Sequence, residues 1–177
     1  MKARNEDTKR FELLIMPHLN AAHNLARWLL RDAAVTQDVV QESSLRAFAA
    51  IGQFVGDNAR AWFLTIVSNQ CYTWLKQPGR HYVDIDDEAV MHEQDRLALS
   101  HAETPEKLAA KMQDAAAMHH ALEALPVAFR EVIILKELEE LSYKEIAAVM
   151  GVPIGTVMSR LARGREMLKK ELLKNDQ

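Results

Sequence analysis

Four residues in the last third of the chain could act together on a nucleic acid: Thr156, Ser159, Arg160 and Arg163. Their spacing strings them along one side of a helix, short hydroxyls near its start and guanidinium groups further on. Such a set can meet base edges and phosphates when a helix enters a major groove. An earlier set, Asn69, Gln70, Tyr72, Thr73, Trp74, Lys76 and Arg80, interleaves aromatic rings with amides and cations. Unpaired nucleic acid calls for those groups: ring faces to stack bases, amides for base edges and cations for phosphates. A third set, Asp38, Gln41, Glu42 and Arg46, forms a polar stripe at helical spacing, suited to a charged partner surface.

Each set has a plainer reading. A basic helix face is often only solvated, a polar stripe likewise, and Tyr72 and Trp74 can serve as core anchors. Catalytic and metal chemistry find less support. His119 and His120 are adjacent and so diverge by about 100° on a helix. His18 and His23 miss the i, i+4 spacing of a helical zinc pair. The single cysteine, Cys71, allows neither an internal disulfide nor a CxxC pair and reads as a small core residue. No phosphate-binding glycine loop or nucleophile elbow is present, so neither cofactor nor metal is expected.

The elements that carry these sets can be read from periodicity. Leu141–Leu168 reads as two helices about a tight turn. Ser142 is a natural N-cap, Ile146, Ala147 and Met150 form an apolar face, Gly151 ends the first helix and Pro153 keeps it from running on. In the second helix Val157, Leu161, Gly164 and Leu168 make an inward stripe, with Thr156, Ser159, Arg160 and Arg163 on another side. A helix pair in any bundle shows the same turn, so the turn alone does not separate DNA binding from plain packing.

The rest of the chain is also helical in pattern. Helical spacing runs from Arg10 to Leu30 with a break at Pro17, and a further helix spans about Thr36 to Ile51. Gly52 and Gly56 bracket a loop in which Asp57 or Asn58 can cap the next helix, about Ala59 to Lys76, where Trp62, Phe63 and Ile66 read as core anchors. Residues 81–103 lose periodicity and turn acidic. Thr104–Pro105–Glu106 restarts a helix that reaches Pro126. Beyond it, Val127, Phe129, Val132, Ile133, Leu135 and Leu138 are expected to be buried. The fold class is therefore all-α: two small helical domains, 1–77 and 105–177, joined by a flexible acidic linker, 78–104.

The chain has 177 residues, 49% of them hydrophobic, and a net charge of −3, so any nucleic-acid contact must come from local patches. No apolar run reaches transmembrane length and no signal-type core follows the charged start. A cytoplasmic protein without membrane insertion is expected.

Taken in order, DVVQESSLRAFAAIGQF (38–54), AWFLTIVSNQCYTWL (61–75) and LPVAFREVIILKELEELSYKEIAAVMGVPIGTVMSRLARGRE (125–166) resemble the extracytoplasmic-function, or group IV, sigma factors of the sigma-70 family. That resemblance implies sigma region 2 and region 4 domains in a non-enzymatic specificity subunit of bacterial RNA polymerase. It implies that Asp38, Gln41, Glu42 and Arg46 dock on the clamp helices of the largest subunit, and that region 4 meets the flap. Asn69 would bind a flipped −10 base among Gln70, Tyr72, Thr73, Trp74, Lys76 and Arg80. Thr156, Ser159, Arg160 and Arg163 would read the −35 element, and an anti-sigma factor would control the whole. Met158 departs from the pattern, which usually has a basic residue there. The alternatives are a sigma-mimic decoy for an anti-sigma protein and a dimeric helix-turn-helix repressor.

Overall fold

The computed structural model describes residues 2–80, 82–85 and 115–174. Helices α1 (Lys2–Leu14), α2 (Leu19–Leu30), α3 (Ala33–Ala50) and α4 (Ala59–Leu75) form the N-terminal half. The C-terminal half holds α5 (Ala115–Ala124), α6 (Val127–Ile133), α7 (Tyr143–Met150) and α8 (Ile154–Lys174). No strand occurs among the described residues. No single helix among them is long and apolar enough to cross a membrane. The restart at Thr104–Glu106 and most of the acidic linker lie outside the described residues.

Local chemistry sets the boundaries. Pro17 sits in a short 3-10 turn (Met16–His18) and so separates α1 from α2 instead of kinking one long helix. Arg31 takes the left-handed conformation that ends α2. Asp32 then caps α3 by accepting from the Val35 amide, so α3 begins at Ala33, earlier than periodicity alone suggests. Asn58, not Asp57, caps α4 through the Ala61 amide at 2.9 Å.

Ser142 and Glu145 form a reciprocal capping box on α7, and Gly151 closes that helix at φ 65°. Gly164 lets α8 approach α6. A Cβ there would stand 3.3 Å from the Phe129 carbonyl and 3.1 Å from Ile133 Cδ1.

Two positions leave the expected apolar face. Val127 is only partly buried. Leu138 is 51% exposed, because α6 runs into a π-helical turn at Ile134–Leu138 that shifts the helical phase by about one residue. The same turn aims Glu139 inward, to 7% exposure. Leu45, in the middle of α3, is 60% exposed on the side opposite Val39, Val40 and Ala47.

The two halves do not stay apart. Helices α2 and α4 pack against α6 and α7, and the buried apolar residues of both halves form one continuous cluster from Ile15 to Leu172. The acidic linker therefore joins two units that are already in contact.

Candidate nucleic-acid interface

On α4, Asn69 and Thr73 are exposed on one side, and the Thr73 hydroxyl donates to the Asn69 carbonyl at 2.9 Å. Gln70 is half-buried. Trp74 is half-buried too, and the Arg80 guanidinium lies 3.3 Å from its ring centre while Nη1 donates to the Trp74 carbonyl at 2.9 Å. The chain after α4 thus folds back over the helix end. Lys76 is exposed, with Nζ 5.2 Å from the centre of the Tyr82 ring. Asn69 and Lys76 line one cleft, and Trp74 with Arg80 lines another, so the set wraps round the end of α4.

Tyr72 turns toward the C-terminal half. Its hydroxyl donates at 2.6 Å to Glu131 of α6, and its ring meets Tyr82 edge-on at 5.9 Å. Burial first, and then the Glu131 carboxylate, push the Tyr72 phenol far above its ordinary range. The same two causes raise the Cys71 thiol, which is fully buried and sits as a core residue.

On α8 the inward stripe of Val157, Leu161, Gly164 and Leu168 is buried as expected. Thr156 and Ser159 are buried as well, at 9% and 2% exposure, and the Ser159 hydroxyl donates back to the Thr156 carbonyl. The expectation of an outward polar stripe therefore holds only in part. The buried arc of α8 is wider than a single stripe, and residues beside that stripe are drawn in with it. Arg160 is partly buried and acts electrostatically on Glu131, Tyr72 and Tyr82. Arg163 pairs with Glu166 at 2.9 Å. Met158 stands 50% exposed, on the part of the helix that faces outward.

Asp38, Gln41, Glu42 and Arg46 are all exposed along α3, with Arg46 and Glu42 paired at 2.8 Å. Leu45 lies among them, so the stripe is a polar surface with an apolar centre. An apolar groove of about 310 Å³ opens on the C-terminal half between Met118, Leu122, Ile134, Leu138, Leu168 and Leu172. Periodicity groups Leu45 with Val39, Val40, Ser43 and Phe48 on the inner side of this helix, and the structure instead turns it outward. The groove is not marked by periodicity. An apolar residue on an outward position of a helix is the signal that marks Leu45.

Comparison with known proteins settles the family. Residues 14–81 match the sigma-70 region 2 model and residues 115–168 the sigma-70 region 4 model. The RNA polymerase sigma-H factor of Pseudomonas aeruginosa is 36% identical over 170 residues, covering 94% of this chain and 88% of that protein. The chain belongs to the extracytoplasmic-function branch of the sigma-70 family. The ECF sigma-E factor of Escherichia coli K12 is 34% identical over 169 residues, covering 94% of this chain and 88% of that one. Among solved structures, the sigma factor RpoE of Bartonella quintana, in complex with the anti-sigma factor NepR, superposes with a TM-score of 0.68 at 30% identity. It covers 96% of this chain and 99% of that one. CnrH, in complex with the cytosolic domain of CnrY, gives a TM-score of 0.64 at 25% identity, covering 99% and 95%. In this sigma factor the region 2 match spans α2–α4, and the region 4 match runs from α5 into α8.

Proposed function

We propose that this chain is an alternative sigma factor: a non-catalytic subunit that binds core RNA polymerase, directs it to promoters through −10 and −35 elements, and is restrained by an anti-sigma factor. Its domains are proposed as 1–77 for docking and −10 reading, 78–104 as tether and 105–177 for −35 reading. The observation that carries this reading is the pairing of two surfaces on one small region 2 bundle. The α3 face of Asp38, Gln41, Glu42 and Arg46 suits a basic coiled coil such as the clamp helices, with Leu45 as an apolar anchor. The α4 face of Asn69, Gln70, Thr73, Trp74, Lys76 and Arg80 suits an unpaired strand.

In the proposed mechanism Asn69 holds a flipped base, since an amide offers both a donor and an acceptor to a base edge. That capture helps offset the few kcal/mol of unstacking. Arg160 and Arg163 supply phosphate or base contacts from α8, and the apolar groove of region 4 gives the flap a place to dock. The similar sigma factor RpoE is held by the anti-sigma factor NepR, which supports the same kind of partner here. The test is transcription in vitro with purified core enzyme on a promoter library. Promoter-specific initiation that depends on this chain is expected. Core binding without any specific initiation would instead make it a decoy.

A further inference from the structure

Beside the apolar cluster that the two halves share, four carboxylates of one half meet hydrogen-bond donors of the other. Glu131, fully buried on α6, accepts from Ser68 and from Tyr72 of α4, both at 2.6 Å. Glu139, set inward by the π turn, accepts from Asn24 at 2.7 Å and pairs with Arg60 at 2.5 Å. Glu145 accepts from Asn58 at 2.6 Å, and Glu123 lies 3.5 Å from Arg31. All four acids belong to region 4 and all their partners here to region 2.

We propose that these four carboxylates are an intramolecular latch, by which region 4 closes on region 2 and masks its −10 face without any second chain. The masking rests on the −10 and −35 assignments proposed above; the latch does not. Asn69, Tyr72 and Lys76 line one side of a cleft of about 270 Å³, and Arg160 with Val152 of the helix pair lines the other. Three members of the −10 set and Arg160 of the −35 set thus look into the same narrow gap, while Arg163 and the Trp74–Arg80 pair line separate clefts. Promoter elements centred near −10 and −35 lie some 25 base pairs apart, roughly 85 Å along B-DNA. Halves that face each other across one cleft cannot serve both elements, so the closed form has to open to read a promoter.

The latch is also suited to opening. Its four carboxylate sites add a polar component to the apolar contact, as contacts between separable domains tend to have. Arg130 beside it is 5% exposed, and its buried Nε has no hydrogen-bond partner among the described residues. Burial first, and then Arg31, lower the Arg130 guanidinium to about 10. A buried donor without a partner loses its hydration with nothing in return, and opening restores it. Tyr72, a member of the −10 set, is itself one of the two donors to Glu131. Releasing that carboxylate and freeing the aromatic ring are therefore one event.

The decisive variant is Arg60→Glu, which sets a carboxylate against Glu139 and places an acid in the first turn of α4, where the helix dipole favours it. Dyes on V55C and K174C report the separation of the halves. Both positions are exposed, and the native Cys71 is buried and stays unlabelled. In the free full-length chain the wild type should give high energy transfer, and R60E should reduce the efficiency by at least half. Binding to a mixed-sequence single-stranded DNA pool should tighten at least threefold, although R60E makes the protein more acidic and so opposes binding electrostatically. The swapped pair R60E/E139R should restore both values, and E139R alone should reproduce the loss of transfer from the other side. Unchanged transfer in R60E and E139R would overturn the latch. Lowered transfer with unchanged DNA affinity would overturn the masking. Neither result depends on promoter-specific transcription, so failure of the sigma reading would be seen separately.

Discussion

Asn69 and Leu45 stand on different faces of region 2, and their substitutions should separate two activities. Asn69→Ala removes an exposed amide without touching the core, so −10 preference should broaden while affinity for core polymerase stays at the wild-type value. Leu45→Asp places a charge at the centre of the α3 face. It should weaken core binding about tenfold, the scale of a single apolar anchor of about 1–2 kcal/mol, and leave the melting temperature unchanged. Competitive binding to core enzyme, alongside transcription from −10 variants, checks both. An Asn69→Ala protein that uses all −10 variants as the wild type does would end the pocket role. These sites differ in how legible they are. The amide is conspicuous among aromatic residues, whereas Leu45 becomes informative only once the packed side of α3 is known.

At the scale of elements, the caps are the most legible feature. Ser142, Gly151, Asn58 and Pro17 act through neighbours within a few residues, and each does in the structure what its type suggests. Ser142 is exposed and its hydroxyl accepts from the Glu145 amide at 3.2 Å, while Glu145 Oε2 accepts from the Ser142 amide at 2.7 Å. Ser142→Ala should cost about 1 kcal/mol of stability through the lost cap. Urea denaturation of the full chain measures it. No loss would mean that tertiary contacts alone hold α7. Elements misread from periodicity failed for an equally local cause. The π turn at Ile134–Leu138 inserts a phase shift that no 3.6-residue template contains, so Leu138 turns outward and Glu139 inward.

For the whole molecule the closed form couples to protons through Glu131. Burial holds its carboxyl above the ordinary glutamate range, against the hydrogen bonds from Ser68 and Tyr72 and the positive field of Arg160, which lower it. Closing therefore takes up a proton. Its contribution is complete below the ordinary glutamate pKa and is lost as pH rises through the raised value. Cys71 and Tyr72 from α4, together with Tyr82, also face this carboxylate, and all three are pushed upward, so they keep their protons over that range. Glu145 has the opposite sign: the Ser142 backbone and side chain, which survive opening, hold it low first. The smaller effects of Asn58 and Arg60, which opening removes, act in the same direction. Energy transfer between the V55C and K174C dyes should fall as pH is raised from about 4 to about 8, across the glutamate range. Glu131→Gln, which cannot ionise, should flatten that profile. A wild-type profile already flat would remove Glu131 from the coupling.

Sequence alone determined the helical class, the helix caps and the family, and it supplied the residue sets proposed as reading and docking faces. Those follow from neighbours three or four places away and from residue types in a fixed order. The tertiary structure decided what the sets face. Ser68 and Tyr72 meet Glu131 across 63 and 59 residues, and Arg60 meets Glu139 across 79. No local pattern encodes such pairings, although a lone carboxylate inside the apolar run from Phe129 to Leu135 marks where one had to be satisfied. Burial of Thr156 and Ser159 was likewise invisible, because exposure depends on what packs beside a helix and not on which residues the helix carries.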